Sequence, residues 1–550
     1  MTIRRVLALA ALGLLALSAC GEDDGGGRDA LQGSRPGGSI RIGTVGPDEY
    51  DPVLYQTIPA AQALQPVYTG LLTFRHVEGA AGAHVVPGLA EKVPEPTDGG
   101  KSYEFRLRDG LKYSDGSPVR ASDFENTIKR LLKLAGPYSS FLTGIVGAAE
   151  FQENGDFGAD IPGIETNNRT GEIRITLTEP DTKLEFALAE PYTAPTPAAK
   201  SPPRSLNKEP PPGVGPYKIE VVDPNREFVL TRNRHFDVPG IPKGNLDKIT
   251  GVVMDSIPRM TQDVIKGELD FMTEDPAGDL LPLVRQRYQD RFREDPNPPN
   301  TYYFFLNVTI PPFDSQLARE AVNYALDSRA LVRVFGGRLQ PSCNFLPPGV
   351  VGYEELDCKY GDPNGGADLE KARELVERSG YEGEEVTVWT SSGDPWEAIG
   401  DYYRDVLAQI GFEARMKALD QQLFFELTGL RRTKAQTGFT SWLQDFPHPG
   451  DFFEPLLGAD ALKAEPTLNN GFVNDPHIEE ALDALRGEDP ERAAGEWAEL
   501  DDYVVNEKAY VAPYGNEKTS TFFSERMDFE NCSGVHPVWK NDWILFCLKE

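Results

Sequence analysis

The sequence predicts an α/β protein of two or three domains. Three observations carry that expectation. A chain of 550 residues exceeds the roughly 250–300 that one hydrophobic core can organise. Short stretches of strand period alternate with longer stretches of helical period along the chain. In the second half "VTVWTSS", "WEAIGDYYRDVLAQIG" and "FEARMKAL" follow one another as strand, helix and strand, the order of a βαβ unit in a parallel sheet.

Taken in order, "SIRIGTV" (Ser39 to Val45) reads as a strand with Ile40, Ile42 and Thr44 alternating along it. "KSYEFRLRDGLKYSDGSPV" reads as two short strands around Asp109-Gly110, with a second turn at Asp115-Gly116. "ASDFENTIKRLLKLAG" is a helix: Ser122 and Glu125 have capping-box spacing, and Phe124, Ile128, Leu131 and Ala135 share one face. Gly136-Pro137 stops it. "GEIRITL" and "REFVLTR" are further alternating strands, and the Pro-rich stretch from Pro191 to Gly215 is a long connecting loop. "DLEKARELVERSG" is a helix with Asp368 as N-cap and Gly380 at its end. In the helix of the βαβ unit, Ile399, Tyr402, Tyr403, Val406, Leu407 and Ile410 form the buried side.

Composition narrows the class. With 39% hydrophobic and 26% charged residues the chain is globular, neither disordered nor membrane-embedded. A net charge of -31, from 86 acids and 55 bases, argues against a nucleic-acid partner, which needs a basic face. That charge suits a well-solvated surface and does not by itself establish a preference for cationic ligands.

The N-terminus carries an address. Arg4 and Arg5 precede a short apolar run, Val6 to Ala16, closed by "LSAC", Leu17 to Cys20. The run is shorter than the roughly 20 residues that cross a bilayer, which favours an export signal over a permanent span. It resembles the lipobox of bacterial lipoproteins, which implies a signal peptide over 1–20 and Cys20 as the lipid anchor. Residues 21–37, rich in Gly and charge, have the composition of a flexible tether. Setting Cys20 aside leaves Cys343, Cys358, Cys532 and Cys547, an even number in an oxidising compartment. The simplest of three pairings is local, Cys343 with Cys358 and Cys532 with Cys547. Each would close a loop of about 16 residues, worth roughly 3 kcal/mol. A four-thiolate zinc site is the alternative, and no cysteine pair has the close spacing it uses.

Catalytic signatures are missing: no GxSxG elbow, HExxH, Walker A loop or GxGxxG occurs. The six histidines do not stand at metal-ligand spacing on a helix. No metal, no cofactor and no enzymatic activity are therefore expected. "SWLQDFPHPGDFF", Ser441 to Phe453, is the stretch that asks for an explanation. It sets Asp445 at the end of an apolar run among prolines and aromatics, where a turn, a metal or a charged ligand could each employ it.

Seven blocks, in order, carry a resemblance. They are "VYTGLLTF", "VVPGLAEKV", "YEFRLRDGLKYSDGSPVRASDFENTIKRLL", "GVGPYKIEVVDPNREFVLTRNRHF", "IKGELDF", "FLNVTIPPFDSQLAREAVNYALDSRALV" and "WLQDFPHPGDFF". From about residue 39 to the C-terminus the chain resembles the family 5 solute-binding proteins of oligopeptide and dipeptide ABC transporters. The resemblance implies a class II periplasmic-binding-protein clamshell of two lobes with an extra third domain. Lobe I would combine 38–67, 190–300 and 508–550; the extra domain would be 68–189 and lobe II 301–507. Hinge crossings would lie near Asn300-Thr301 and from Val505 to Tyr510.

The resemblance also implies roles. Asp445 would pair with the α-ammonium of a bound peptide, with a turn-forming Asp as the alternative. Ser441, Trp442 and Leu443 would lie against the ligand, the strand from Thr440 to Leu443 through its backbone and Trp442 as a pocket wall. Tyr50, in the loop from Gly46, would approach from the other side. His448 is expected exposed and without a ligand role. The loop between Cys343 and Cys358 departs from the shorter members of that family, and as such a departure it is expected to reshape the cleft mouth. The chain is thus expected to be a monomeric, lipid-anchored, extracytoplasmic carrier that takes up small peptides and serves ABC permease subunits. A metal chelate or an oligosaccharide as ligand is the alternative within the fold, and a secreted hydrolase the alternative outside it.

Overall fold

The structure, a computed structural model, describes residues 34–393 and 395–550. Cys20, the signal peptide and most of the tether lie outside the described residues. The last of the tether is described, and Ser34–Arg35 pairs with Leu548–Lys549 as a short antiparallel ribbon. Among the described residues no helix is long and apolar enough to cross a membrane.

Two large sheets organise the chain. The first runs Phe292–Glu294, Ser520–Phe523, Phe271–Met272, Ser39–Thr44, Lys248–Val253, Glu227–Arg232, Tyr217–Asp223 across its seven strands. Ser39–Thr44 is parallel to its neighbours on both sides, and its alternation puts Ile40 and Ile42 in the core. The second sheet runs Leu339–Gln340, Val511–Glu517, Asn300–Leu306, Thr437–Leu443, Glu385–Ser391, Glu413–Leu419. Its last two strands are parallel and joined by the helix Trp396–Gln409, as the βαβ pattern predicts. A third region, antiparallel strands Ser102–Arg106, Glu172–Thr176 and Ile164–Asn167 with the helix Ala121–Lys133, shares one continuous core with the first sheet.

Several local expectations need correction. Val511–Glu517 pairs with Tyr302–Phe305 and so belongs to the second sheet, not to lobe I, where the family layout puts everything from residue 508 onward. Burial of Val511, Ala512 and Tyr514 fixes it there. The chain therefore crosses back between Glu517 and Ser520, not from Val505 to Tyr510, and crosses forward between Glu294 and Asn300. The helix at Ala121–Lys133 starts earlier than the Ser122–Glu125 box: Asp123 Oδ2 accepts from the Arg120 backbone N–H at 2.9 Å, while Ser122 is occupied with Asn168. Phe124, Ile128 and Leu131 are buried as expected, but Ala135 lies past the helix with φ of 47° and is exposed. After Asp109-Gly110 there is no second strand, only a bridge from Lys112 to Pro118 around the Asp115-Gly116 turn. Asp368 caps Leu369–Ser379 by accepting from Lys371 N–H at 2.9 Å, and Gly380 ends that helix in the left-handed region.

Covalent and ionic ties hold loops to this frame. Cys343 is bonded to Cys358 and Cys532 to Cys547. Asp501, buried, accepts from Asn344 Nδ2 and from the backbone N–H groups of Phe345 and Leu346, which pins the first disulfide loop to the second lobe. Asp51 and Arg130, both fully buried, pair at 2.6 Å and fasten the loop after Ser39–Thr44 to the helix of the third region.

Candidate functional site

The strand Thr437–Leu443 is paired along its whole length with Asn300–Leu306 on one side. On the other, Glu385–Ser391 meets it only at Thr437 and Gly438. From Phe439 onward, no described strand covers that second edge. Successive side chains alternate, so Trp442 turns into a cavity while Ser441 and Leu443 face away from it. Leu443 is exposed.

After Leu443 the chain crosses the seam between the lobes. Gln444 N–H donates to Pro299 O, and its Nε2 donates to Pro537 O at 2.7 Å. Phe446 is fully buried in the core of the first lobe and third region, its ring 4.9 Å from that of Phe141. Asp445 sits between these two anchors.

Two acids in this loop have different jobs. Asp451 is buried, and its Oδ2 accepts from the Asp445 backbone N–H at 2.9 Å and from Trp442 Nε1 at 3.3 Å. It shapes the turn from the first turn of the helix Gly450–Leu457. Burial, and then the neighbouring Asp445 charge, push its carboxyl well above the ordinary range. The Asp445 carboxylate, by contrast, receives no hydrogen bond from the described residues, and burial pushes it up to about 6. The turn-forming role that one reading gave Asp445 falls to Asp451, and Asp445 keeps a free carboxylate.

That carboxylate opens into a cavity of about 840 Å³ between the lobes. Tyr138, Phe141 and Lys183 wall it from the third region, and Trp442, Asp451 and Arg486 from the second lobe. Its size falls within the about 300–1,000 Å³ usual for small-ligand sites. Polar contacts close its rim: Lys183 Nζ reaches Glu454 at 2.5 Å, Thr182 N–H donates to Arg486 O at 2.9 Å, and Arg486 pairs with Glu179 at 3.3 Å.

Two expected positions are corrected here. Tyr50 is buried in the first lobe, 5.7 Å from the Phe228 ring, and does not line the cavity; Gln56 of the same loop does. The fully buried Asp51 beside it pulls this part of the loop inward. His448 is buried, not exposed. Its Nδ1 accepts from Gly450 N–H at 3.0 Å, which leaves Nε2 to carry the proton toward Thr182 Oγ1 at 3.2 Å across the seam. Burial, then Lys183, lowers its pKa well below the ordinary value, so it stays neutral.

A second cavity, of about 600 Å³, opens elsewhere along the seam. Pro348 to Tyr353 of the Cys343–Cys358 loop line it, opposite Arg293 to Asn297.

Sequence reasoning missed Asp451, Tyr138, Lys183 and Arg486. An acid in the first turn of a helix reads as a dipole partner, which hid the role of Asp451. The others come from segments far away in the chain and carry no local signal.

The family described as bacterial extracellular solute-binding proteins, family 5 (middle), matches residues 84–463, well over half of the chain. The chain belongs to this family. It is a family of solute-binding proteins and not of enzymes. Among relatives, the glutathione-binding protein GsiB of Shigella dysenteriae serotype 1 is 26% identical over 428 residues, covering 76% of this chain and 78% of its own. Among solved structures, clavulanic acid biosynthesis oligopeptide binding protein 2 is similar with a TM-score of 0.85 at 24% identity, over 94% of this chain and 96% of the other. The periplasmic binding protein DppA from Helicobacter pylori, solved with the peptide STSA, has a TM-score of 0.70 at 20% identity over 94% and 99%. Both likenesses place this family 5 protein in the class II binding-protein fold.

Proposed function

We propose that this solute-binding protein is a lipid-anchored, extracytoplasmic receptor that captures peptides between its lobes and passes them to the permease of an ABC importer. One observation carries the ligand class: Asp445, whose carboxylate receives no hydrogen bond from the described residues, stands at the end of a strand whose second edge no described strand covers beyond Gly438. A peptide satisfies both at once. Its α-ammonium pairs with Asp445, and its backbone adds to the edge of residues 440–443 in a mode indifferent to side chains. A ligand without a cationic end leaves a desolvated charge unpaired, which is costly.

Closure follows from the same contacts. Phe446, the Lys183–Glu454 pair and the Thr182–Arg486 bond exist only while the lobes meet, and a bridging ligand binds that state better than an open one. The naming of relatives as glutathione-binding, and the peptide STSA bound to a structural neighbour, point to short peptides as probes. Cys20 is the anchor in this reading; incorporation of radiolabelled palmitate in cells should vanish in Cys20→Ala. The ligand test is calorimetric titration with a tripeptide pool and its N-acetylated counterpart. Binding by the free amines alone supports the reading, and equal binding of both pools refutes the role of Asp445.

A further inference from the structure

Charge in the wall of the main cavity does not cancel. Seven acids and two bases line it. Glu179, Asp181 and Glu454 are partners of the two bases, Lys183 and Arg486, and Asp460 pairs with Lys463 at 2.7 Å. Asp445, Asp451 and Glu479 have no ion-pair partner among the described residues. Asp451 is 2% exposed; its Oδ2 accepts from two N–H groups, and its Oδ1 receives no hydrogen bond from the described residues. Glu479 accepts from the Ala459 backbone N–H at 2.6 Å.

Both bases are committed to the seam. Lys183, from the third region, reaches Glu454 of the second lobe at 2.5 Å, and Arg486, from the second lobe, reaches Glu179 of the third region at 3.3 Å. Each also holds an acid on its own side, Asp181 at 3.3 Å and Asp483 at 3.0 Å. A ligand carboxylate could be received by either base only by displacing one of these acids, and so at the expense of a contact that joins the lobes. A ligand cation meets no such competition. Elsewhere along the wall, like charge opposes an anion.

We propose that the cavity selects ligands of net positive charge: a peptide whose α-ammonium pairs with Asp445 and whose remaining groups inside the cavity are neutral or basic, with no free carboxylate among them. The inference rests on the peptide reading above and adds to it a class, peptides that are rich in basic residues or lack an ionised C-terminus. It couples selection to closure. An anionic group inside competes with the Lys183–Glu454 and Arg486–Glu179 contacts, whereas a cation leaves them in place. Asp451 suits this role, because burial and the Asp445 charge favour a proton on it in the empty cavity and an arriving cation favours its ionised form.

The test uses the full chain, freed of co-purified ligand, titrated calorimetrically with trialanine, trialanine amide and 1,5-diaminopentane. The amide, which differs only in lacking the carboxylate, should bind about tenfold tighter than trialanine at low salt. That ratio should shrink toward one at about 1 M salt, where charges are screened within a few ångströms. Glu479→Gln keeps an oxygen for the Ala459 N–H and removes a charge, so it should reduce the ratio too. Equal affinity, or tighter binding of the free acid, overturns the inference and leaves the peptide reading standing. An amide preference that neither salt nor Glu479→Gln reduces also overturns it, because the amide group and not the charge is then recognised. Binding of the diamine with neither peptide overturns the peptide reading and retains the selection for cations. Binding of none of the three overturns both.

Discussion

Replacing Asp445 by Asn should stabilise the empty protein and disable it as a receptor. Burial raises the Asp445 pKa from 3.8 to about 6, two units that correspond to about 3 kcal/mol. The sign follows from proton uptake. A carboxyl whose folded pKa exceeds its unfolded value binds a proton on folding, so it costs stability wherever it must be ionised. The cost is fully present above pH 6, declines between pH 6 and 4, and is absent below both values. Asp445→Asn removes it and leaves the bond from the residue 445 backbone N–H to Asp451 in place. Urea unfolding at pH 7.5 should therefore show the variant more stable by up to about 3 kcal/mol, with the advantage largely gone at pH 4. Added free-amine tripeptide should raise the wild-type midpoint and leave that of the variant unmoved. A variant less stable than wild type at pH 7.5 without ligand would mean that Asp445 has a partner in the empty state, and the argument for a waiting carboxylate would fail.

Other perturbations test the frame. Phe446→Ala removes a ring buried across the seam, worth about 2 kcal/mol to the closed arrangement, so solution scattering without ligand should give a larger radius of gyration than wild type. Unchanged scattering would show that the seam does not depend on this ring. Arg130→Ala leaves Asp51 buried without its ion-pair partner and should cost about 3–5 kcal/mol in urea unfolding of the first lobe. Replacing Cys343 and Cys358 together by Ser should cost roughly 3 kcal/mol and raise hydrogen exchange from Pro348 to Tyr353 along the second cavity. Exchange there equal to wild type would show that the Asp501 contacts alone hold the loop.

What could be read from the sequence was whatever neighbouring residues decide among themselves. Asp368 and Gly380 bracket a helix through their own backbone bonds, and the strand–helix–strand rhythm of residues 385–419 leaves a parallel pair as its natural outcome. The sheet of Val511–Glu517 is not legible from its own residues, because its partner, Tyr302–Phe305, is some 200 positions away. The same limit governs the site. Asp445 was found through its block, but the division of labour with Asp451 depends on a loop that folds the later acid beneath the earlier one. His448 looks like a surface residue until Thr182 arrives from the other side of the seam. Tyr50 sits in the expected loop, yet the buried Asp51–Arg130 pair draws that stretch into the core.

The most direct measurement is a crystal structure of the protein with a free-amine tripeptide bound. The account predicts the peptide ammonium about 2.7–3.2 Å from the Asp445 carboxylate and the peptide backbone bonded along residues 440–443. A peptide held elsewhere, or one meeting Asp445 with anything other than its amino terminus, would contradict it.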